Sequence, residues 1–222
     1  MGSTEGRRGQ AERRNKTEEA LLDAAADLIA RRGVERASLA DIGELAGVSR
    51  GLPNHRFGSK SALVAKLAER SQMRMLSDLN AALVEARKSA SGQILKGNGL
   101  EALLMGLDLY LEKFSDPSPD ERALLVMWGS ILASESLIEG MKEADQRSYE
   151  ALAGLVAAGQ QDGSIRADLS PIGTAMLLLG VIRGVASLHL IHGQTAGMSN
   201  IHSLCRQWLR TCLSPHSTVR AL

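Results

Sequence analysis

The sequence predicts an all-α protein. Leu and Ala dominate its apolar residues, those residues recur at intervals of three and four, and no stretch alternates in the manner of a strand. Aromatic side chains, the usual companions of β-structure, are confined to Phe57, Phe114, Trp128, Trp208, Tyr110 and Tyr149. The 222 residues suffice for one or two domains. A hydrophobic share of 44% with 23% charged residues excludes wholesale disorder, and the 22 glycines follow no period of three, which excludes a collagen-like chain.

About nine helices are expected. Thr17 stands as N-cap of the first, with Glu18 and Glu19 in the turn where the helix dipole favours carboxylates. Leu21, Ala24, Ala25, Leu28 and Ile29 form its buried stripe and Gly33 ends it. Ser38 caps a short second helix carrying Leu39, Ile42, Leu45 and Ala46, and Gly47 stops it. Ser49 caps a third, running to about His55. Ser59 caps a long fourth helix, Lys60 to Lys88, with Leu63, Leu67, Leu76, Leu79 and Leu83 inward. After a loop from Ser89 to Gly99, helices are expected from Leu100 to Phe114, from Asp120 or Glu121 to Ser134, and from Leu137 to Gln161. Ser170 caps and Pro171 opens the next, to about Ile191, and Ser199 to Leu213 is the last.

Charge is unevenly placed. Residues 7–16 hold five Arg/Lys against Glu12 alone, a local +4 within a chain of net charge +1. Residues 1–16 form a basic arm expected to be disordered on its own, and Pro215 to Leu222 a tail. No secretory segment follows the N-terminal charges, and the longest apolar stretch, Ile172 to Ile191, is broken by Arg183, so a buried helix rather than a membrane span is expected. Cys205 and Cys212, seven apart on one helix, are too far separated to pair within it and read as reduced thiols of a cytoplasmic protein. His189, His192 and His202 lack further ligands nearby, so no metal is expected, and no cofactor. No nucleophile elbow, P-loop or dinucleotide-binding turn is present, so the chain does not read as an enzyme.

Three short helices with a Gly-containing tight turn between the second and third make a helix-turn-helix pattern. Leu28, Ile42, Leu45, Val48, Leu52 and Phe57 are its candidate core, and Ser49 to His55 its projecting element.

These residues carry a resemblance. The stretch TEEALLDAAADLIARRGVERASLADIGELAGVSRGLPNHRFGSKSAL, from Thr17 to Leu63, resembles the N-terminal domain of the TetR family of bacterial transcriptional regulators. Ala24-Ala25 with Leu28, Gly33-Val34, Asp41-Ile42, Leu45 to Ser49, Gly51-Leu52 and Phe57 to Lys60 match in order; beyond them the likeness lies in the helix plan and in the turn Asp162 to Arg166. The resemblance implies a helix-turn-helix DNA-binding domain over residues 17–62, followed over 63–214 by a helical ligand-binding and dimerisation domain. It implies a homodimer, a pseudo-palindromic duplex operator and a small-molecule effector, most simply a repressor released by an apolar or amphipathic ligand. The alternatives are a helical ligand-binding protein with a degenerate head, or an activator of the same fold.

The DNA-binding residues so implied are Thr17, Ser38, Ser49, Arg50, Gly51, Asn54, His55, Arg56 and Lys60. Arg50 suits guanine and Asn54 suits adenine, or either touches phosphate alone. Ser38 and Ser49 contact phosphate or merely cap. Pro53, His55 and Arg56 depart from the residues common in the family; Pro53 removes a helical donor and is expected to disturb the recognition helix. The effector site is expected among Leu103, Leu107, Tyr110, Phe114, Met127, Trp128, Ile131, Met176, Leu179 and Arg183, with Arg183 either salt-bridged or a carboxylate anchor. A dimer interface is expected on Ile182, His189, Ile201, Leu204, Cys205, Trp208 and Cys212 of the last two helices.

Overall fold

A computed structural model describes residues 3–88, 98–131, 135–193 and 200–215. The expected loop over 89–97, the helix end at 132–134, the cap at Ser199 and the tail from 216 lie outside the described residues. Nine α-helices and no strand are found among the described residues: α1 (Ser3–Arg32), α2 (Leu39–Leu45), α3 (Leu52–Phe57), α4 (Lys60–Lys88), α5 (Gly99–Ser115), α6 (Pro119–Ser130), α7 (Glu135–Gln161), α8 (Pro171–His192) and α9 (Ile201–Leu213).

The chain forms two compact units that interleave in sequence. One comprises residues 1–71 and 118–144, the other 72–117 and 145–222. Each has its own core.

In the first unit Leu21, Leu22, Ala25 and Ile29 of α1 pack with Leu63, Val64 and Leu67 of α4, Leu124 and Met127 of α6, and Leu137 and Met141 of α7. Arg70, buried among these helices, donates to Glu19 and Asp23 of α1 at 3.1 and 2.8 Å and to Asp120 of α6 at 2.7 Å. A guanidinium buried so deeply requires such acceptors, because an unpaired charge there would cost several kcal/mol, roughly 3–5. Helix α6 starts at Pro119, one residue earlier than expected, with a capping box: the Ser118 hydroxyl accepts from the Glu121 amide and the Glu121 carboxylate accepts from the Ser118 amide.

The first helix departs most from expectation. Thr17 is not its N-cap. Its hydroxyl donates to the Arg13 carbonyl 2.9 Å away, one turn back inside a helix that begins at Ser3. Gln10 to Arg14 are ordinary helix formers with no proline or turn residue to stop them, so the basic arm continues the helix.

The second unit is built on Leu103, Leu104, Leu107 and Leu111 of α5, Leu178, Ile182 and Val185 of α8, Cys205, Leu209 and Leu213 of α9, and Val156 of α7. The turn Asp162 to Arg166 caps α5. Asp162 accepts from the Gly99 amide at 2.6 Å, the Ser164 hydroxyl from the Leu100 amide at 3.0 Å, and Asn98 from the Glu101 amide at 3.0 Å. Three of the four donors that a helix start leaves open are thereby paired with side chains. Burial raises the Asp162 carboxyl pKa, but hydrogen bonds from Ser164 and the Gly99 amide outweigh it and leave the group below its ordinary value. The α5 start also lies tight on α7: a Cβ on Gly99 would stand 2.4 Å from the Gly159 nitrogen.

By length and composition α8 is apolar enough to cross a membrane, with a mean hydropathy of 1.8. Its inner face is nonetheless core, and Arg183 is ion-paired to Asp145 of α7, which takes the salt-bridged of its two expected roles. Cys205 and Cys212 are free, and burial pushes the Cys205 thiol pKa up.

Candidate nucleic-acid interface

Helix α2 is seven residues long and begins as expected, with the Ser38 hydroxyl accepting from the Asp41 amide at 3.1 Å. Its buried face centres on Ile42 and Gly43. Leu45 lies roughly 100° away around the helix and is 51% exposed, so it does not belong to the core as expected. Val48 and Phe57 pack on that core from the far side of the turn. Gly47 has φ +71°, a conformation that side chains with a Cβ resist. Gly43, which periodicity passes over as one more helix residue, is where the two helices meet. A Cβ there would stand 2.8 Å from the Ser49 carbonyl oxygen and 3.2 Å from both the Arg50 Cα and the Pro53 Cδ.

The recognition helix begins later than the sequence suggests. Ser49 does not cap it. The helix runs from Leu52 to Phe57 with Gly51 at the N-cap and Pro53 in its first turn. The missing Pro53 amide is therefore one that has no helical partner in any case, and Pro53, buried against Gly43, supports the turn instead of disturbing the helix.

Ser49, Arg50, Gly51, Asn54 and His55 are exposed. Arg50 reaches back across the turn to Glu44, donating from Nε and Nη2 to one carboxylate oxygen at 3.1 and 2.5 Å. Arg56 is half-buried and ion-paired to Glu18 of α1. Lys60 opens α4 and donates to the carbonyls of Val34 and Glu35, both at 3.0 Å, fastening the turn after α1. Arg13, Arg14, Thr17 and Leu21 of α1 with Leu52, His55 and Arg56 line a groove of about 500 Å³. The segment Ser49 to His55 thus presents a cation, an amide, an imidazole and a hydroxyl, all exposed, on a short rigid mount. That is a donor set suited to base edges and phosphates.

Residues 21–67 match the family described as bacterial regulatory proteins, tetR family. Over those residues the helix-turn-helix is similar to the N-terminal domain of that family. No curated protein matches the chain closely enough to count as a relative. Solved structures match across nearly the whole length. A protein from Rhodococcus sp. described as a TetR-family transcriptional regulator superimposes with a TM-score of 0.74 at 20% identity, covering 90% of this chain and 100% of its own. SmeT, the repressor of the Stenotrophomonas maltophilia multidrug efflux pump SmeDEF, gives 0.67 at 18%, covering 92% and 94%. A protein from Saccharomonospora viridis described as a transcriptional regulator, in complex with choline, gives 0.68 at 19%, covering 90% and 98%. At these identities the likeness establishes the fold. The chain shares with these structures a fold of a helix-turn-helix head followed by a helical C-terminal part.

Sequence reasoning missed two acids that hold arginines of the helix-turn-helix. Glu44 precedes Arg50 by six residues and Glu18 precedes Arg56 by 38, separations at which no helical spacing signals a pair.

The residues expected around an effector divide between the two units. Leu103, Leu107 and Phe114 are buried in the second, where Tyr110 stacks on Phe114 with ring centroids 4.6 Å apart. Leu179 is buried and Met176 exposed, both on α8. Met127 is buried in the first unit, with Trp128 and Ile131 packed on its core. Of the residues expected at a dimer interface, Ile182, His189 and Cys205 are buried within the chain itself, with the His189 and His202 rings 6.2 Å apart. Ile201 and Cys212 are half-buried, and Leu204 and Trp208 are exposed. The same helix pair exposes Met176, Leu177, Leu188 and Ile191, with Gly180 and Gly184 between them along α8.

Proposed function

We propose that this chain is a homodimeric transcriptional regulator, a repressor that holds a pseudo-palindromic duplex operator and releases it when a small apolar or amphipathic molecule binds its helical body. It is a cytoplasmic, non-enzymatic protein on this reading. The observation that carries it is the exposed Ser49 to His55 segment, with Arg50, Asn54 and His55 open to solvent on a tetR-family head. Two such segments about 34–36 Å apart meet successive major grooves, so a ligand that favours another spacing weakens binding by its differential affinity for the two states.

Dimerisation is supported by the apolar surface of the last two helices. Leu188 and Ile191 on α8 and Leu204 and Trp208 on α9 are large hydrophobic groups left in water by a single chain. Large apolar groups left exposed on neighbouring helices suit an association surface. The repressor reading draws on SmeT, and the small-molecule reading on the neighbour solved with choline.

The test is a gel shift of the full chain on DNA upstream of its own gene. A saturable shift that unrelated duplex does not compete away, and that Arg50→Ala abolishes, supports the proposal. Absence of any shift at low ionic strength would overturn it.

A further inference from the structure

Glu44 lies in the last turn of the second helix, and Arg50 follows the tight turn. The Arg50 guanidinium gives its Nε–Nη2 edge to one Glu44 oxygen, at 3.1 and 2.5 Å. The two side chains are 72% and 61% exposed, so the pair adds little to stability. Guanidinium has five N–H donors. Glu44 occupies the Nε–Nη2 edge and leaves the Nη1–Nη2 end, which has no other partner among the described residues. Two parallel donors at that end are what the O6 and N7 of guanine accept in the major groove.

We infer that Glu44 is a positioning and specificity-determining residue for operator recognition, holding Arg50 with its bidentate end free and cancelling its charge toward phosphate. The inference rests on the DNA-binding reading above. An arginine with four rotatable bonds and no partner takes the nearest phosphate on any sequence. One held by a neighbouring carboxylate has no net charge to offer, and it gains only where a guanine lies opposite its free end. Glu44 is itself repelled by phosphate, which weakens every complex that lacks the compensating base contact. A purely structural pair that closed the turn would show neither effect, because Gly43, Gly47 and Pro53 already fix the turn.

The experiment measures affinity of the full-length chain, wild type, Glu44→Gln and Glu44→Asp, for its upstream operator, for unrelated duplex, and for operators with each guanine replaced singly. Salt is varied from about 50 to 200 mM. Glu44→Gln should bind unrelated duplex several-fold more tightly, with a salt slope steeper by about one. Its operator preference should fall by about tenfold, and the one guanine whose replacement hurts the wild type most should lose its effect. Glu44→Asp, which keeps the charge, should retain the wild-type slope. Selective wild-type binding with an unchanged slope and guanine dependence in Glu44→Gln would overturn the inference alone. A wild type without operator preference would overturn the proposed function and this inference with it.

Discussion

Arg56, in the last turn of the recognition helix, is ion-paired to Glu18 in the first helix, and both side chains are largely buried. This relationship ties the short third helix to the first, and it changes what a substitution there should do. Arg56→Ala should destabilise the chain by about 1–2 kcal/mol in chemical denaturation, between the values for exposed and fully buried pairs. The alternative role, a direct phosphate contact, predicts unchanged stability and a salt slope of DNA binding reduced by about one.

Gly43 stands where the two short helices touch, with room for a hydrogen and no more. Gly43→Ala places a methyl against the Ser49 carbonyl and the Pro53 ring, neither of which moves without shifting the turn. A loss of about 1–3 kcal/mol in denaturant is expected. Operator affinity should fall with it, since Arg50 rides on the displaced turn. Unchanged affinity and stability would show that the turn yields freely.

The carboxyl of Asp162 lies below its ordinary pKa of 3.8 because Ser164 and the Gly99 amide stabilise the anion more than burial destabilises it. A lowered folded value contributes stability that is complete above 3.8 and is lost as the pH falls through that folded value. Asp162→Asn should therefore be less stable than the wild type at neutral pH. The difference expected is about 1 kcal/mol, one hydrogen bond to a charged group reduced for solvent screening. Denaturation at a series of pH values should show the two proteins converging below 3.8. A gap that persists into strong acid would assign the effect to shape rather than charge.

Trp208 is 46% exposed on α9, close in sequence to exposed Leu204. Replacing it with Asp should convert a dimer to a monomer in analytical ultracentrifugation, since a buried interface tryptophan is worth about 2 kcal/mol or more. Operator affinity should drop in the same variant. A wild type that sediments as a single chain would remove the dimer from the account.

Much of this was legible in the residues, and the failures have physical causes. The pattern from Leu21 to Leu67 is local: caps at Ser38 and Ser59, a Gly at the turn, and apolar residues three and four apart each report their own neighbourhood, so the helix plan could be read directly. Helix ends were harder. Thr17 looks like a cap, yet nothing before it stops a helix, and its hydroxyl bonds one turn back. Leu45 fits an apolar list, yet the seven-residue α2 turns it outward. Pro53 looks harmful only if Ser49 caps the helix; the cap is Gly51, two residues later, and Pro53 falls in the first turn. Ile182 and Cys205 are buried within the chain, and composition alone does not separate such residues from an apolar surface, because the two read alike in one dimension. The interleaving of the two units depends on residues 118–144 packing with the first helix, a long-range choice that no local pattern encodes.

The most direct test of the account is a hydroxyl-radical footprint of the full-length protein on DNA upstream of its own gene. Two protected half-sites related by a dyad, both lost in Arg50→Ala, are the predicted result. Uniform cleavage along the duplex at low ionic strength, with the protein in excess, would contradict it.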